Sequence, residues 1–246
     1  MRALTHIARR VQPSYASILL DMNTQCDLFL SKGALPVVNR AEALSNIGRI
    51  MSWARNRSVP VVSSLESCRI QANPRGLPPY CVDRSLGQRK VPVTLLPKRT
   101  VVNDDHAVEV SADLFNRYQQ VILFKRARDF FSNPKVDRLF TSISSHHVFV
   151  LGAVAEQCVT VAVIRLLAQG HRVAVVSDAC GTWNADAGAQ AMRQMDARGA
   201  VLVSTDETVC GAADKRLRDS FPDDVGRETE SCVTSSRQSA EPFCWT

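Results

Sequence analysis

The chain has 246 residues, enough to bury a sizeable core as one domain or one domain with a tail. Its apolar share of 45% and charged share of 22% are those of an ordinary globular protein, and no apolar run approaches the roughly 18–20 residues that cross a bilayer. A formal charge of +6 raises nucleic acid as a partner, but Lys and Arg are scattered and aromatics make up only 6%, so neither a basic stripe nor a stacking platform is expected.

Residues 1–14 carry basic groups without the apolar stretch of a secretory signal and read as a short arm. The lack of acids before Asp21 leaves an amphipathic targeting peptide open there. Tyr15 to Asp21 is an apolar run ending on a carboxylate, the pattern of a buried strand. From Val38 to Asn56, apolar residues recur at helical spacing, and Val61-Val62-Ser63-Ser64 begins a second strand. Gln71 to Lys98 is rich in Pro and Gly and lacks a sustained period, so a long irregular segment is expected. Val101-Val102 reads as a short strand and Ala112 to Tyr118 as a short helix.

Beyond residue 120 a regular alternation sets in. Strands are expected over Gln120–Phe124, His147–Val154, Arg172–Ser177 and Ala200–Ser204. Between them, helices are expected over Asn133–Ser142, Glu156–Gln169 and Ala185–Arg198, the last two ended by Gly170 and Gly199. The strands are continuous Val/Ile/Leu runs, which indicates a mostly parallel sheet covered on both faces. The fold class is therefore α/β, a doubly wound three-layer α/β/α domain over residues 15–210. Residues 211–246 turn polar and read as a flexible or partner-dependent tail, with Phe243-Cys244-Trp245 as a conceivable docking end.

Eight cysteines, at 26, 68, 81, 158, 180, 210, 232 and 244, include no CxxC pair. Reduced thiols in the cytoplasm are the simpler reading, and structural zinc usually needs closer ligand pairs.

Three reactive side chains fall where an open parallel sheet binds ligands, at the carboxyl ends of its strands. Asp21 ends the first strand, Lys125 follows Gln120–Phe124, and Cys158 lies in the first turn of a helix. Taken singly, the aspartate reads as a turn residue, the lysine as solvated and the cysteine as core. Together they offer a thiol the base, the cation and the helix N-terminus that can make it nucleophilic.

Over roughly residues 15 to 208 the sequence resembles the isochorismatase-like cysteine hydrolase superfamily. ILLDMN with QCDLF is similar to the family's D-x-Q/N-x-D-F stretch, with two or three extra residues between Asp21 and Asp27. VILFKRARDFF resembles its strand-Lys segment, and GAVAEQCVTVAVIRLLAQGHRVAVVSDAC its nucleophile region. The resemblance implies Cys158 as nucleophile, Asp21 as base and Lys125 between them, lowering the thiol pKa. It also implies a cis peptide at Ala153-Val154, with the N–H groups of Val154 and Cys158 forming an oxyanion hole. Phe29, Tyr80, Phe130, Ala155 and Trp183 are the candidate pocket residues.

Metal-dependent relatives carry an Asp-x-His…His cluster after the second strand. Here Glu66 and Cys68 stand in that region without histidine, so no metal or other cofactor is expected. The implied reaction is hydrolysis of small amide- or urea-type C–N bonds through a thioester-like intermediate. The alternatives are a catalytically drifted scaffold acting in binding or assembly, motivated by Ala155 and the altered Asp21 neighbourhood, and vinyl-ether cleavage. Expected partners are a small-molecule substrate and further copies of the chain, without nucleic acid or membrane.

Overall fold

The computed structural model describes residues 14–69, 76–102, 110 and 112–221. Seven strands, β1 (Ser14–Met22), β2 (Val61–Glu66), β3 (Arg99–Val102), β4 (Gln120–Lys125), β5 (Ser144–Ala153), β6 (Val173–Gly181) and β7 (Val201–Val203), form one sheet in the order β3-β4-β2-β1-β5-β6-β7. Every pairing is parallel. The helices are α1 (Cys26–Phe29), α2 (Arg40–Asn56), α3 (Pro134–Ser142), α4 (Thr160–Ala168), α5 (Ala185–Ala197), α6 (Thr205–Cys210) and α7 (Ala212–Ser220).

Strand side chains alternate between the faces, and each face feeds its own core. Leu19, Val61, Phe149, Leu151, Ala174 and Val176 pack against α2 residues Ala43, Ile47, Ile50 and Trp53. Ile18, Leu20, Val62, Val121, Leu123, Val148 and Val150 pack against Val136, Leu139 and Phe140 of α3, Ala162 and Val163 of α4, and Met195 of α5. These are the three layers expected from the alternating apolar runs.

Local chemistry explains where the helices begin. Asn133 accepts a hydrogen bond from the Lys135 amide ahead of Pro134, Asn184 from the Ala187 amide, and Ser204 forms a capping box with Glu207. The expected helix at Glu156 instead opens as a π-turn, Ala155–Val159, before α4. Its Val159 amide bonds the Val154 carbonyl and the Thr160 hydroxyl donates to the Ala155 carbonyl at 2.7 Å. The expected helix over Ala112–Tyr118 is a 3-10 turn, Ala112–Asn116.

The tail needs a correction. Residues 212–220 are helical, and Ala213 and Leu217 are buried in the core under α2 and β7. Sequence periodicity misses this because only two apolar residues, four apart, anchor a short charged helix. The rest of the expected tail, from residue 222, and the expected arm up to residue 13 lie outside the described residues.

Candidate active site

The carboxyl ends of four neighbouring strands, β4, β2, β1 and β5, converge on one cluster. Register sets Glu66, the last residue of β2, beside Lys125, the last of β4. Both extend the face of Val62, Val121 and Leu123. Lys125 Nζ donates to Glu66 Oε2 at 2.8 Å. The Cys158 thiol, carried over by the turn after β5, stands 4.0 Å from the same oxygen as a donor. Asn23, just past β1, donates from Nδ2 to that oxygen at 2.7 Å, and the Tyr80 hydroxyl donates to Oε1 at 3.2 Å.

Asn23 reaches this face because its backbone turns. Its φ is 47°, in the left-handed region that asparagine tolerates better than most residues. Ser64 fixes the turn: its hydroxyl accepts from the Asn23 amide at 2.9 Å and donates to Asn23 Oδ1 at 2.6 Å. Gln25 then clamps the Glu66 backbone, accepting from its amide and donating to its carbonyl, each at 2.8 Å.

Asp21 does not join this cluster, contrary to the sequence expectation. It lies two residues beyond Leu19 on the opposite face of the sheet. Its oxygens take Thr24 Oγ1 at 2.7 Å, Ser63 Oγ at 2.8 Å and Lys90 Nζ at 2.8 Å. Asp21 and Lys90 form a fully buried pair that ties the segment after residue 76 to the sheet. The inserted residues explain the mismatch. Counting back two positions from Gln25 in the resembling stretch lands on Asn23, so the β1 carboxylate position holds an amide.

Charge in the cluster follows from burial and from these neighbours. Burial pulls Lys125 down, but the Cys158 sulfur and the Glu66 carboxylate outweigh it, so its pKa is raised. For Cys158, burial raises the thiol pKa, Lys125 pulls it down and Glu66 pushes it up, with a net upward shift. The resemblance led us to expect a lowered value; desolvation and the carboxylate reverse it.

The candidate pocket residues divide. Tyr80 touches Glu66 and meets Trp183 edge-on, ring centroids 5.8 Å apart. Trp183 is held by its indole N–H on the Leu35 carbonyl and by its amide on Glu156 Oε1 at 2.9 Å. Phe130 and Ala155 are buried in the same core cluster as Cys158. Phe29 is buried with Val37 and Leu19 in the other core cluster, to which Tyr80 also belongs and against which Trp183 packs. The peptide between Ala153 and Val154 is cis.

A metal of the kind held after the second strand in metal-dependent relatives does not fit these residues. Both oxygens of Glu66 are engaged by Lys125, Asn23 and Tyr80. No group of three or more His, Cys, Asp or Glu that could hold a metal stands together among the described residues. Six cysteines, at 26, 68, 81, 158, 180 and 210, are free thiols, and no described helix is long and apolar enough to cross a membrane.

Comparison with known proteins agrees with this architecture. No curated protein matches the chain significantly. Among solved structures, the pyrazinamidase of Pyrococcus horikoshii in complex with zinc superimposes with a TM-score of 0.60 at 20% identity, over 77% of this chain and 99% of that one. A putative isochorismatase hydrolase from Oleispira antarctica gives 0.60 at 18%, over 80% and 97%. The MAR1 ribonuclease from Caenorhabditis elegans gives 0.55 at 20%, over 86% and 92%. At such identities the likeness is one of fold. The isochorismatase domain model matches residues 15–207, most of the chain, and on that match the protein belongs to the isochorismatase-like hydrolase family.

Proposed function

We propose that this hydrolase cleaves C–N bonds of small amides or ureas, with Cys158 as the nucleophile and no metal in the reaction. One observation carries the reading: a buried thiol and a buried ammonium share one carboxylate oxygen at the carboxyl edge of the sheet. The sulfur adds to the carbonyl carbon, the amine leaves, and water hydrolyses the resulting thioester or carbamoyl-thiol. Lys125 stabilises the sulfur as it becomes anionic. The N–H groups of Val154 and Cys158 are the proposed oxyanion donors, a role worth about 3 kcal/mol in the barrier. Tyr80 and Trp183 form the aromatic wall. Cys158 is only 5% exposed, which suits a small substrate better than a polymer. The amide class also fits the pyrazinamidase likeness, and six free thiols fit a reducing cytoplasm.

The test is ammonia release from a panel including nicotinamide, pyrazinamide and simple ureas, with chelator present. Wild type should turn over at least one of them, and Cys158→Ala none, with its thermal melt unchanged. Equal hydrolysis by the Cys158→Ala protein would reject the mechanism. Silence of the wild type across the panel, together with no thiol-dependent release from an activated ester, would favour the scaffold reading.

A further inference from the structure

We infer that the proton acceptor for the nucleophilic thiol is Glu66, supplied by β2, and that the β1 position opposite it has become the amide of Asn23. The inference rests on Cys158 being the nucleophile and names the partner that reading still lacks. Three observations support it. The Cys158 thiol stands as a donor to a carboxylate oxygen, Glu66 Oε2, at 4.0 Å. The same oxygen is held from two other sides, by Lys125 Nζ at 2.8 Å and Asn23 Nδ2 at 2.7 Å, so it is fixed in place before a substrate arrives. The rival carboxylate, Asp21, is fully buried on the other face of the sheet and neutralises Lys90 there.

Asn23 has a specific part in this arrangement. A carboxylate at residue 23 would sit against Glu66 and repel it. An amide instead donates to Glu66 and accepts from Ser64. Asn23 is therefore a positioning residue, and only one carboxylate faces the sulfur in this hydrogen-bonded group.

The steps balance. The S–H proton passes to Glu66 Oε2 as sulfur bonds to the carbonyl carbon. When the C–N bond breaks, that proton leaves with the amine. Water then gives a proton to Glu66 as its oxygen bonds to the acyl carbon. The C–S bond breaks and the proton returns to sulfur, so that amide plus water become acid plus amine.

A chromogenic ester, p-nitrophenyl acetate, separates the two halves, because p-nitrophenolate leaves without needing a proton. Wild type should show a burst followed by steady turnover. Glu66→Gln should retain a burst near one equivalent but lose steady turnover at least 100-fold, with acetyl-Cys158 accumulating by mass spectrometry. Its burst should also form at least 10-fold more slowly, because the thiol has lost its proton acceptor, and the pH profile of the burst rate should move; a merely structural glutamate would change neither. Turnover by folded Glu66→Gln within threefold of wild type, with the burst rate unchanged, would overturn the inference. Absence of any burst that depends on Cys158 would instead reject the nucleophile. If Glu66→Gln does not fold, the exchange Asn23→Asp/Glu66→Gln returns a carboxylate to the same hydrogen-bonded pair. Steady turnover by it supports the assignment, and a folded exchange protein stalled at neither step relative to Glu66→Ala overturns it.

Discussion

At the scale of single residues, the decisive fact is the parity of a strand. Glu66 is the last residue of β2 and Asp21 the last but one of β1, opposite Ser63, and the odd step from Ser63 to Glu66 sends the two carboxylates to opposite faces. Lys125, directly after an apolar strand, and Cys158, four residues past the next one, were legible as candidates because both stand in stretches that resemble the family's. Glu66 was visible only as a would-be metal ligand, and Asn23 was hidden by inserted residues that shifted the motif. Asp21→Leu should destabilise the protein by about 3–5 kcal/mol in urea unfolding, since it leaves the Lys90 ammonium buried without its partner. Adding Lys90→Met should recover most of that loss. A stable Asp21→Leu protein that has lost turnover would restore Asp21 to the chemistry. A second expectation concerns pH. Burial and Glu66 together raise the Cys158 thiol above the ordinary value of 9.0, so its alkylation should climb only as pH passes that point. Exposed Cys210 should label first at neutral pH. Cys180, pushed up to about 12 by burial and then Asp178, should stay inert. Peptide mapping after timed labelling orders the three.

At the scale of elements, the apolar runs placed β1, β2, β4, β5, β6 and β7, and helical spacing placed α2 to α5, because both periods are written by burial. The π-turn at Ala155–Val159 was not legible. It is selected by tertiary contacts around Cys158, with the preceding strand anchored by Gly152. Gly152 has φ of 113°, and a Cβ there would strike the Met22 backbone, so Gly152→Ala should leave mostly insoluble protein on expression. Glu156 joins this turn to the end of β6. Its carboxylate accepts from Thr182 Oγ1 at 2.7 Å, the Trp183 amide at 2.9 Å and the Asn184 amide at 3.2 Å. That links the turn carrying the sulfur to the aromatic wall through one side chain. Glu156→Ala should therefore cost about 2–3 kcal/mol of stability, as charge-assisted bonds at a part-exposed site. It should raise KM more than it lowers kcat, since Trp183 loosens while Lys125 and Glu66 stay in place. A steady-state series on the best amide of the panel reads that split; a fall in kcat alone would assign Glu156 a part in the chemistry.

At the scale of the whole molecule, fold class was legible but strand order was not. Alternating strands and helices imply a parallel sheet, whereas the position of β3 at the edge beyond β4 depends on how the chain crosses back after residue 98. The boundary of the folded unit was misjudged for a related reason: composition reports average polarity, and a helix needs only one apolar side chain per turn to dock. In α7 that side chain is Leu217, fully buried in the core with Val201 and Val203 of β7 and Trp53 of α2. β7 is a three-residue edge strand, and α7 and α5 pack against it. Leu217→Ala should then lower unfolding stability by about 2–5 kcal/mol, the range for emptying a core leucine site. A chain stopped after Cys210 should lose more, because Ala213 goes as well and the face of β7 is exposed to water. The site lies at the other strand ends, around β1, β2, β4 and β5, so initial turnover per folded molecule should not change in the Leu217→Ala protein. Denaturation midpoints and the burst amplitude with p-nitrophenyl acetate separate the two effects. A truncated chain as stable as the full one would place the end of the folded unit at residue 210 after all.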